Sequence, residues 1–239
     1  MANWKTIADA DALWQSLTED VHLPVWIVSP EGRVEFANHH SSSLVGKQPG
    51  ELLGHSVTEL FPAEVGRERV ELVRRVADTG RPLMLYELVR GRWTRTVLRR
   101  ISGAGATPAM VIMIQHPGTK REAAAETTEQ RYDIIYPNSH DAGPLATLSR
   151  RELEVLTLIG EGLTTREIAD RLHRTGKTVE WHRASLGRKL RVANRVELAQ
   201  IAIAAGLSSA NWSELSQAAL GKVAEDNDIE PPVNGIGPG

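Results

Sequence analysis

The sequence predicts an α+β chain. Its N-terminal half is an antiparallel sheet of five strands with helices, and its C-terminal part is an all-α arrangement of four short helices. Three observations carry this. Apolar residues come in short blocks around Pro/Gly turns over 25–37 and 83–115. They recur at spacings of three and four over 148–207. Helix-start signals repeat three times within that second stretch.

Taken in order, Ile7, Leu13, Trp14, Leu17 and Val21 fit one face of a helix that Pro24 stops. Val25–Val28 and Val34–Ala37 flank the turn Pro30-Glu31-Gly32 and read as a hairpin. Residues 39–60 read as short helices broken by Gly46, Pro49-Gly50 and Gly54. A longer helix spans 63–78, with Val65, Val70, Val73 and Val76 partly on one face and Gly80 at its end. Strands follow at 83–89, 93–101 and 109–115, separated by Gly91 and by the turn-rich stretch 103–108. Two strands, several helices and three more strands form an α+β unit.

Residues 119–147 pass from Ala, Thr and Glu to Pro, Asn, Asp and Gly, and read as a linker. Four helices follow. Their apolar stripes are Val155/Leu156/Ile159, Ile168/Ala169/Leu172, Val179/His182/Leu186/Leu190 and Val196/Ala199/Ile203. Ser149 with Glu152 and Thr164 with Glu167 form capping boxes, and Asn194 with Glu197 is a close variant. Arg174-Thr175-Gly176 is a tight link, with Thr175 as N-cap of the third helix; helix-turn-helix units cross their helices on such a turn. Residues 208–220 fit one more helix. The end, DNDIEPPVNGIGPG, has the composition of a disordered acidic tail. The expected division is therefore 1–118, 119–147, 148–207 and 208–239.

Length and composition bound the function. At 239 residues with 41% hydrophobic content, the chain can bury one large or two small cores. It has no cysteine, which removes disulfides, thiolate clusters and thiol redox sensing. No apolar run approaches the ~18 residues of a membrane span, and the N-terminus lacks a hydrophobic signal core, so a cytoplasmic location without a membrane partner is expected. No phosphate-cradling loop, metal-ligand spacing or nucleophile elbow is present, so an enzyme is not expected. The chain's net charge is −2, yet 171–195 concentrates Arg171, Arg174, Lys177, Arg183, Arg188, Lys189, Arg191 and Arg195 against the single acid Glu180. Such a local cationic patch is the footprint of a nucleic-acid surface.

Five pieces of the C-terminal segment resemble the LuxR-type helix-turn-helix family. They are Leu148-Ser149-x-Arg151-Glu152-x-Glu154-Val155-Leu156, Gly162-Leu163-Thr164-x-x-Glu167-Ile168-Ala169, Thr178-Val179-Glu180-x-His182, Lys189-Leu190 and Asn194-Arg195-x-Glu197-Leu198. The resemblance implies a four-helix DNA-binding domain that usually works as a dimer. It departs from the family at Thr175-Gly176, where Ser-Pro is common, and at the bulky Trp181. By resemblance, Glu180, Trp181 and Ala184 read base edges. Thr178, Arg183, Arg188 and Lys189 are placed for phosphates, which fix register without reading sequence. For Trp181 a protein contact stays open as the alternative to a base contact. His182 falls on the core side and reads as structural.

The N-terminal half resembles the PAS sensor fold, on the hairpin ending Phe36-Ala37-Asn38, the stretch from Glu51 through His55 to Phe61-Pro62, and the three closing strands. That resemblance implies either a small-molecule site between sheet and helices or a sheet face used for dimerisation. Haem ligation by His39, His40, His55 or His116 is a minor alternative, nothing marks a flavin site, and no cofactor is expected. The whole reads as a dimeric, sequence-specific regulator that binds double-stranded DNA and is controlled through a PAS unit. The alternative is a protein-interaction adaptor whose helix-turn-helix serves a protein surface.

Overall fold

A computed structural model of the chain describes residues 10–101, 109–117 and 131–207. The predicted helix 208–220, the acidic tail and the first half of the linker lie outside the described residues. So does the beginning of the N-terminal helix. Two compact units emerge: Met1–Glu87 with Trp93–Asp141, and Leu88–Arg92 with Ala142–Gly239.

The first unit opens with α1 (Ala10–Gln15), which passes into a π-helical turn over Ser16–Asp20. The apolar face expected here does not enter the core: Trp14, Leu17 and Val21 are all exposed. Strands β1 (Val25–Val28) and β2 (Val34–Ala37) form the predicted hairpin, with Trp26 opposite Ala37 and a bulge between Ile27 and Val28. Asn38 then caps α2 (His39–Val45). Its Oδ1 accepts from Ser41 N, Ser41 Oγ and Val25 N, while its Nδ2 donates to the carbonyls of Thr18 and Leu23. One side chain thus ties the N-terminal segment, the first strand and the first sheet-covering helix together.

Helices α3 (Val57–Leu60) and α4 (Ala63–Thr79) follow. The buried stripe of α4 is Val65, Arg69, Val73 and Val76, at spacings of four, four and three. Val70, expected in that stripe, is only half-buried; the charged Arg69 occupies the core position instead. Strands β3 (Leu83–Val89), β4 (Arg92–Ile101) and β5 (Met110–Pro117) complete the five that were expected. The two-residue turn between β3 and β4 has positive φ at both Arg90 (51°) and Gly91 (76°), the backbone of a tight hairpin turn that only glycine enters freely.

A sixth strand, β6 (Asp133–Ile135), lies in the segment read as linker. It pairs parallel to β3, with Leu83 opposite Asp133 and Leu85 opposite Ile135. The spatial order is β2-β1-β5-β4-β3-β6. Three residues are too short for a period-two pattern, which is why the composition of 119–147 hid them. With β6 in place, β3 is buried along its whole length: Met84 and Tyr86 pack on one face against Val97, Tyr132 and Ile134.

The second unit is helical. A 3-10 turn (Gly143–Thr147) leads into α5 (Arg150–Gly160), α6 (Thr165–Leu172), α7 (Gly176–Leu190) and α8 (Arg195–Ala204). Both predicted capping boxes are complete, at Ser149/Glu152 and Thr164/Glu167. Each cap satisfies backbone amides that a helix start leaves bare, and such a cap is typically worth about 1 kcal/mol. Asn194 accepts from Glu197 N at 3.0 Å, while Glu197 reaches back to Ala193 N at 2.7 Å in place of the cap residue itself.

Leu153, Val155, Leu156, Ile159, Ile168, Val179 and Leu186 close the core as the periodicity predicts. The fourth helix does not follow its predicted stripe. Val196 and Ile203 are 65% and 64% exposed, and Leu198, Ala202 and Ala205 face inward. The sequence RVELAQIAIA is apolar on nearly every side, so its periodicity admits two orientations. Gly160 selects one: a Cβ there would sit 2.6 Å from the Cβ of Ala202, so these backbones meet because neither residue is larger.

Candidate nucleic-acid interface

The helix expected to enter a groove, α7, is anchored before it presents anything. Thr175 Oγ1 accepts from Thr178 N at 3.2 Å, and the hydroxyls of Thr175 and Thr178 are 2.9 Å apart. Val179, His182 and Leu186 are buried beneath it. Ser185, expected on the outward face, is buried as well, because its Oγ donates to Glu152 Oε1 at 2.6 Å.

Glu152 is the centre of a clasp. Its Oε2 accepts from Ser149 N at 2.8 Å and from Lys189 Nζ at 2.6 Å, and Lys189 also donates to the carbonyl of Thr147 at 3.0 Å. Burial opposes ionisation of Glu152. Hydrogen bonds from Lys189, Ser185 and Ser149, with the Lys189 charge, overcome it and hold the carboxyl below its ordinary value of 4.5. One acid thereby joins the start of α5 to the last turns of α7. The capping pattern disclosed the first half of that role and not the second.

The seven residues expected to touch DNA fall into three groups. Ala184 and Arg188 are exposed, and Arg188 makes no ion pair among the described residues. Glu180 and Arg183 form an ion pair at 2.7 Å, and Glu180 also accepts from Thr165 Oγ1 at 2.8 Å, which ties α7 to α6. Thr178 shares its hydroxyl with the N-cap, Lys189 is committed to Glu152 and Thr147, and half-buried Trp181 stands edge-on to His182 at 5.0 Å. Glu180, Arg183, Ala184 and Arg188 line one groove of about 560 Å³ between α7 and α8. Asn194 and Arg195 line its other wall. The sequence reading counted Arg195 in the charge patch but did not place it at the site. Its signal was the position directly after the Asn194 cap, at the start of a helix packed beside α7. Gly187, also in the groove, lets the chain of Val192 come close: a Cβ there would lie 3.1 Å from the Val192 carbonyl.

The four candidate haem histidines do not converge. His39 is exposed, His40 lies near the Glu19 carbonyl at 3.3 Å, and His55 pairs with Glu59 at 2.6 Å on the surface. His116 sits opposite Arg95 in the β4–β5 ladder. Among the described residues, no group of three or more His, Cys, Asp or Glu side chains could hold a metal ion. None of the described helices is long and apolar enough to cross a membrane.

Comparison with known proteins places families on both units. Residues 146–202 match the bacterial regulatory proteins of the luxR family, and residues 18–123 match the PAS fold. The chain therefore carries a PAS-fold unit followed by a LuxR-type helix-turn-helix unit. It is 42% identical over 81 residues to the oxygen regulatory protein NreC of Staphylococcus carnosus, covering 32% of this chain and 37% of that one. It is 39% identical over 109 residues to the response regulator UvrY of Escherichia coli, covering 44% of this chain and 50% of that one. The chain thus spans half or less of the length of these relatives. Among solved structures, a complex of Vibrio cholerae VqmA with ligand and DNA aligns over 85% of this chain and 91% of that one, at 18% identity and a TM-score of 0.43. That likeness is too loose to carry an argument.

Proposed function

We propose that the chain is a sequence-specific transcriptional regulator that binds double-stranded DNA as a homodimer under the control of its PAS-fold unit. The observation that carries this is the outward face of α7. It is a helix fixed at both ends by capping and by the Glu152 clasp, presenting flat Ala184 beside uncommitted Arg188 and Lys177. A rigid cationic helix with a small residue at its middle can enter a major groove without displacing its own neighbours. Arg188 serves a phosphate, and Trp181 and Ala184 face base edges. Glu180 reads a base only where a cytosine amino group competes with Arg183 for its free lone pairs.

Pairing of two copies is supported by two apolar faces that the described residues leave uncovered. One is Trp14, Leu17 and Val21 in the first unit; the other is Val196 and Ile203 on α8. Exposed apolar stripes of this kind mark interaction surfaces. Two copies joined through α8 place two recognition helices a fixed distance apart, so dimer geometry sets half-site spacing. The division into domains is best drawn with residues 131–141 in the first unit, because β6 belongs to its sheet. Such a function is exercised in the cytoplasm, where bacterial DNA lies.

The test is fluorescence anisotropy with a random duplex and with duplexes selected from a pool by the protein itself. The proposal expects binding to both, tighter to the selected sequences. Ala184→Glu is expected to abolish binding to both while leaving the melting temperature unchanged, since Ala184 faces outward. Binding to neither duplex at low salt would contradict the proposal and favour an adaptor role for the same surface.

A further inference from the structure

The interior of the PAS-fold unit contains polar chemistry that its own fold does not consume. On the inner face of the sheet, Thr96 Oγ1 donates to Glu87 Oε1 at 2.6 Å, and Arg69 Nη2 donates to Glu87 Oε2. The guanidinium of Arg69 lies over the ring of Phe61 at 5.2 Å, and Phe61 stands 6.2 Å from Trp26. Trp26 Nε1 in turn donates to Gln115 Oε1 at 3.0 Å. Gln115 is the ladder partner of Thr96, so the two ends of this series of contacts meet across one rung of the sheet. Arg69, Glu87 and Gln115 are each 2% exposed.

Two donors are left over. Arg69 Nη1 and Gln115 Nε2 are buried and meet no acceptor. The orientation of the Gln115 amide is not arbitrary: Trp26 offers only a donor, so the amide oxygen must face it and the NH₂ must face away. Buried polar groups are nearly always satisfied, and a buried donor without an acceptor is costly. Both leftovers belong to one cluster that also holds two aromatic rings, and both ask for the same thing, an acceptor.

We propose that this interior binds a small neutral molecule that offers carbonyl or ring-nitrogen acceptors to Arg69 Nη1 and Gln115 Nε2 and lays its apolar body against Phe61 and Trp26. Neutrality follows from charge. Arg69 is already balanced by Glu87, so a bound anion would leave an uncompensated negative charge in a buried site. The regulatory meaning of this site rests on reading the PAS-fold unit as the controlling one. Binding itself involves no DNA, so it can fail or succeed independently of that reading.

The test uses the full chain and three probes of one size: benzamide (neutral acceptor), benzoate (anion) and toluene (no acceptor). Thermal melting is followed together with the ¹H–¹⁵N signal of the Gln115 side-chain amide. Benzamide at tenfold excess over its Kd is expected to raise the melting temperature by roughly 3–6 °C and to shift the Gln115 NH₂ signal. Benzoate and toluene are expected to do neither, and Gln115→Met to lose the benzamide response. If that variant does not fold, the Gln115 amide signal in the unaltered chain decides alone. The proposal is overturned if benzamide acts no differently from toluene, if benzoate acts equally well, or if folded Gln115→Met responds as the unaltered chain does. It is also overturned if a high-resolution crystal structure shows ordered water on both donors that benzamide does not displace.

Discussion

Glu152 in the helical unit and Glu87 in the sheet unit are both buried acids facing a basic partner, yet their surroundings differ. Glu152 collects a backbone amide, a serine hydroxyl and the Lys189 ammonium, and Lys189 spends a further proton on the Thr147 carbonyl. Glu87 collects Thr96 and Arg69, but the same network leaves one nitrogen of Arg69 and one of Gln115 without acceptors. A closed network gives rigidity, which a DNA-reading helix needs if it is to enter a groove without reorganising. An open network gives a place for something else to bind.

The largest expected effect lies in the sheet unit. Arg69→Met leaves Glu87 buried and unpaired, and we expect a loss of about 3–5 kcal/mol in urea unfolding. The double variant Arg69→Met/Glu87→Leu is expected to regain most of it, because both charges go together. A double variant as unstable as the single one would mean that the ion pair itself, not the unpaired acid, holds the unit.

The Glu152 clasp comes next. Glu152→Gln weakens charged hydrogen bonds to Lys189, Ser185 and Ser149, at an expected cost of about 1.5–3 kcal/mol. Its pH dependence has a definite sign. A carboxyl whose folded pKa is depressed binds its proton more readily when unfolded. Its contribution is complete above the ordinary carboxylate value and is lost as pH falls through the lower folded one. The helical unit is therefore expected to lose stability on acidification below about pH 4.5, and Glu152→Gln to flatten that part of the profile. An unchanged profile in the variant would remove Glu152 as its source.

A smaller effect is expected at the contact of α5 with α8. Gly160→Ala would gain helix propensity, but the added methyl meets Ala202. We expect overpacking to dominate, with a net loss of about 1–2 kcal/mol. A stabilised variant would show that α8 can slide away at little cost.

Much of this was legible in the sequence, and the exceptions have physical causes. The three helix starts and the turn before α7 were readable because caps are local: Ser149, Thr164 and Thr175 act within three residues of themselves. The wrong face of α8 came from a helix apolar on nearly every side, where only a distant residue, Gly160, fixes the orientation. β6 escaped because three residues show no period. Arg69 and Glu87 were passed over as ordinary surface charges. Their positions carried a signal: Arg69 lies midway between Val65 and Val73 on one stripe, and Glu87 interrupts the apolar run LMLYELV. A charge at a core position on each of two neighbouring elements is the pattern of a buried pair. At the proposed DNA surface, charge alone could not separate Arg188 from Lys189, because only the fold shows that one is uncommitted and the other holds Glu152.

That separation gives the most direct test of the claim that α7 reads a duplex. Binding to double-stranded DNA is measured as a function of salt for the unaltered chain, Arg188→Ala and Lys189→Ala. The account predicts a steep salt dependence whose slope falls by about 0.9 in Arg188→Ala with no change in melting temperature. Lys189→Ala is predicted to melt earlier while keeping the slope. A salt slope near zero in the unaltered chain, or one that Arg188→Ala leaves untouched, would contradict it.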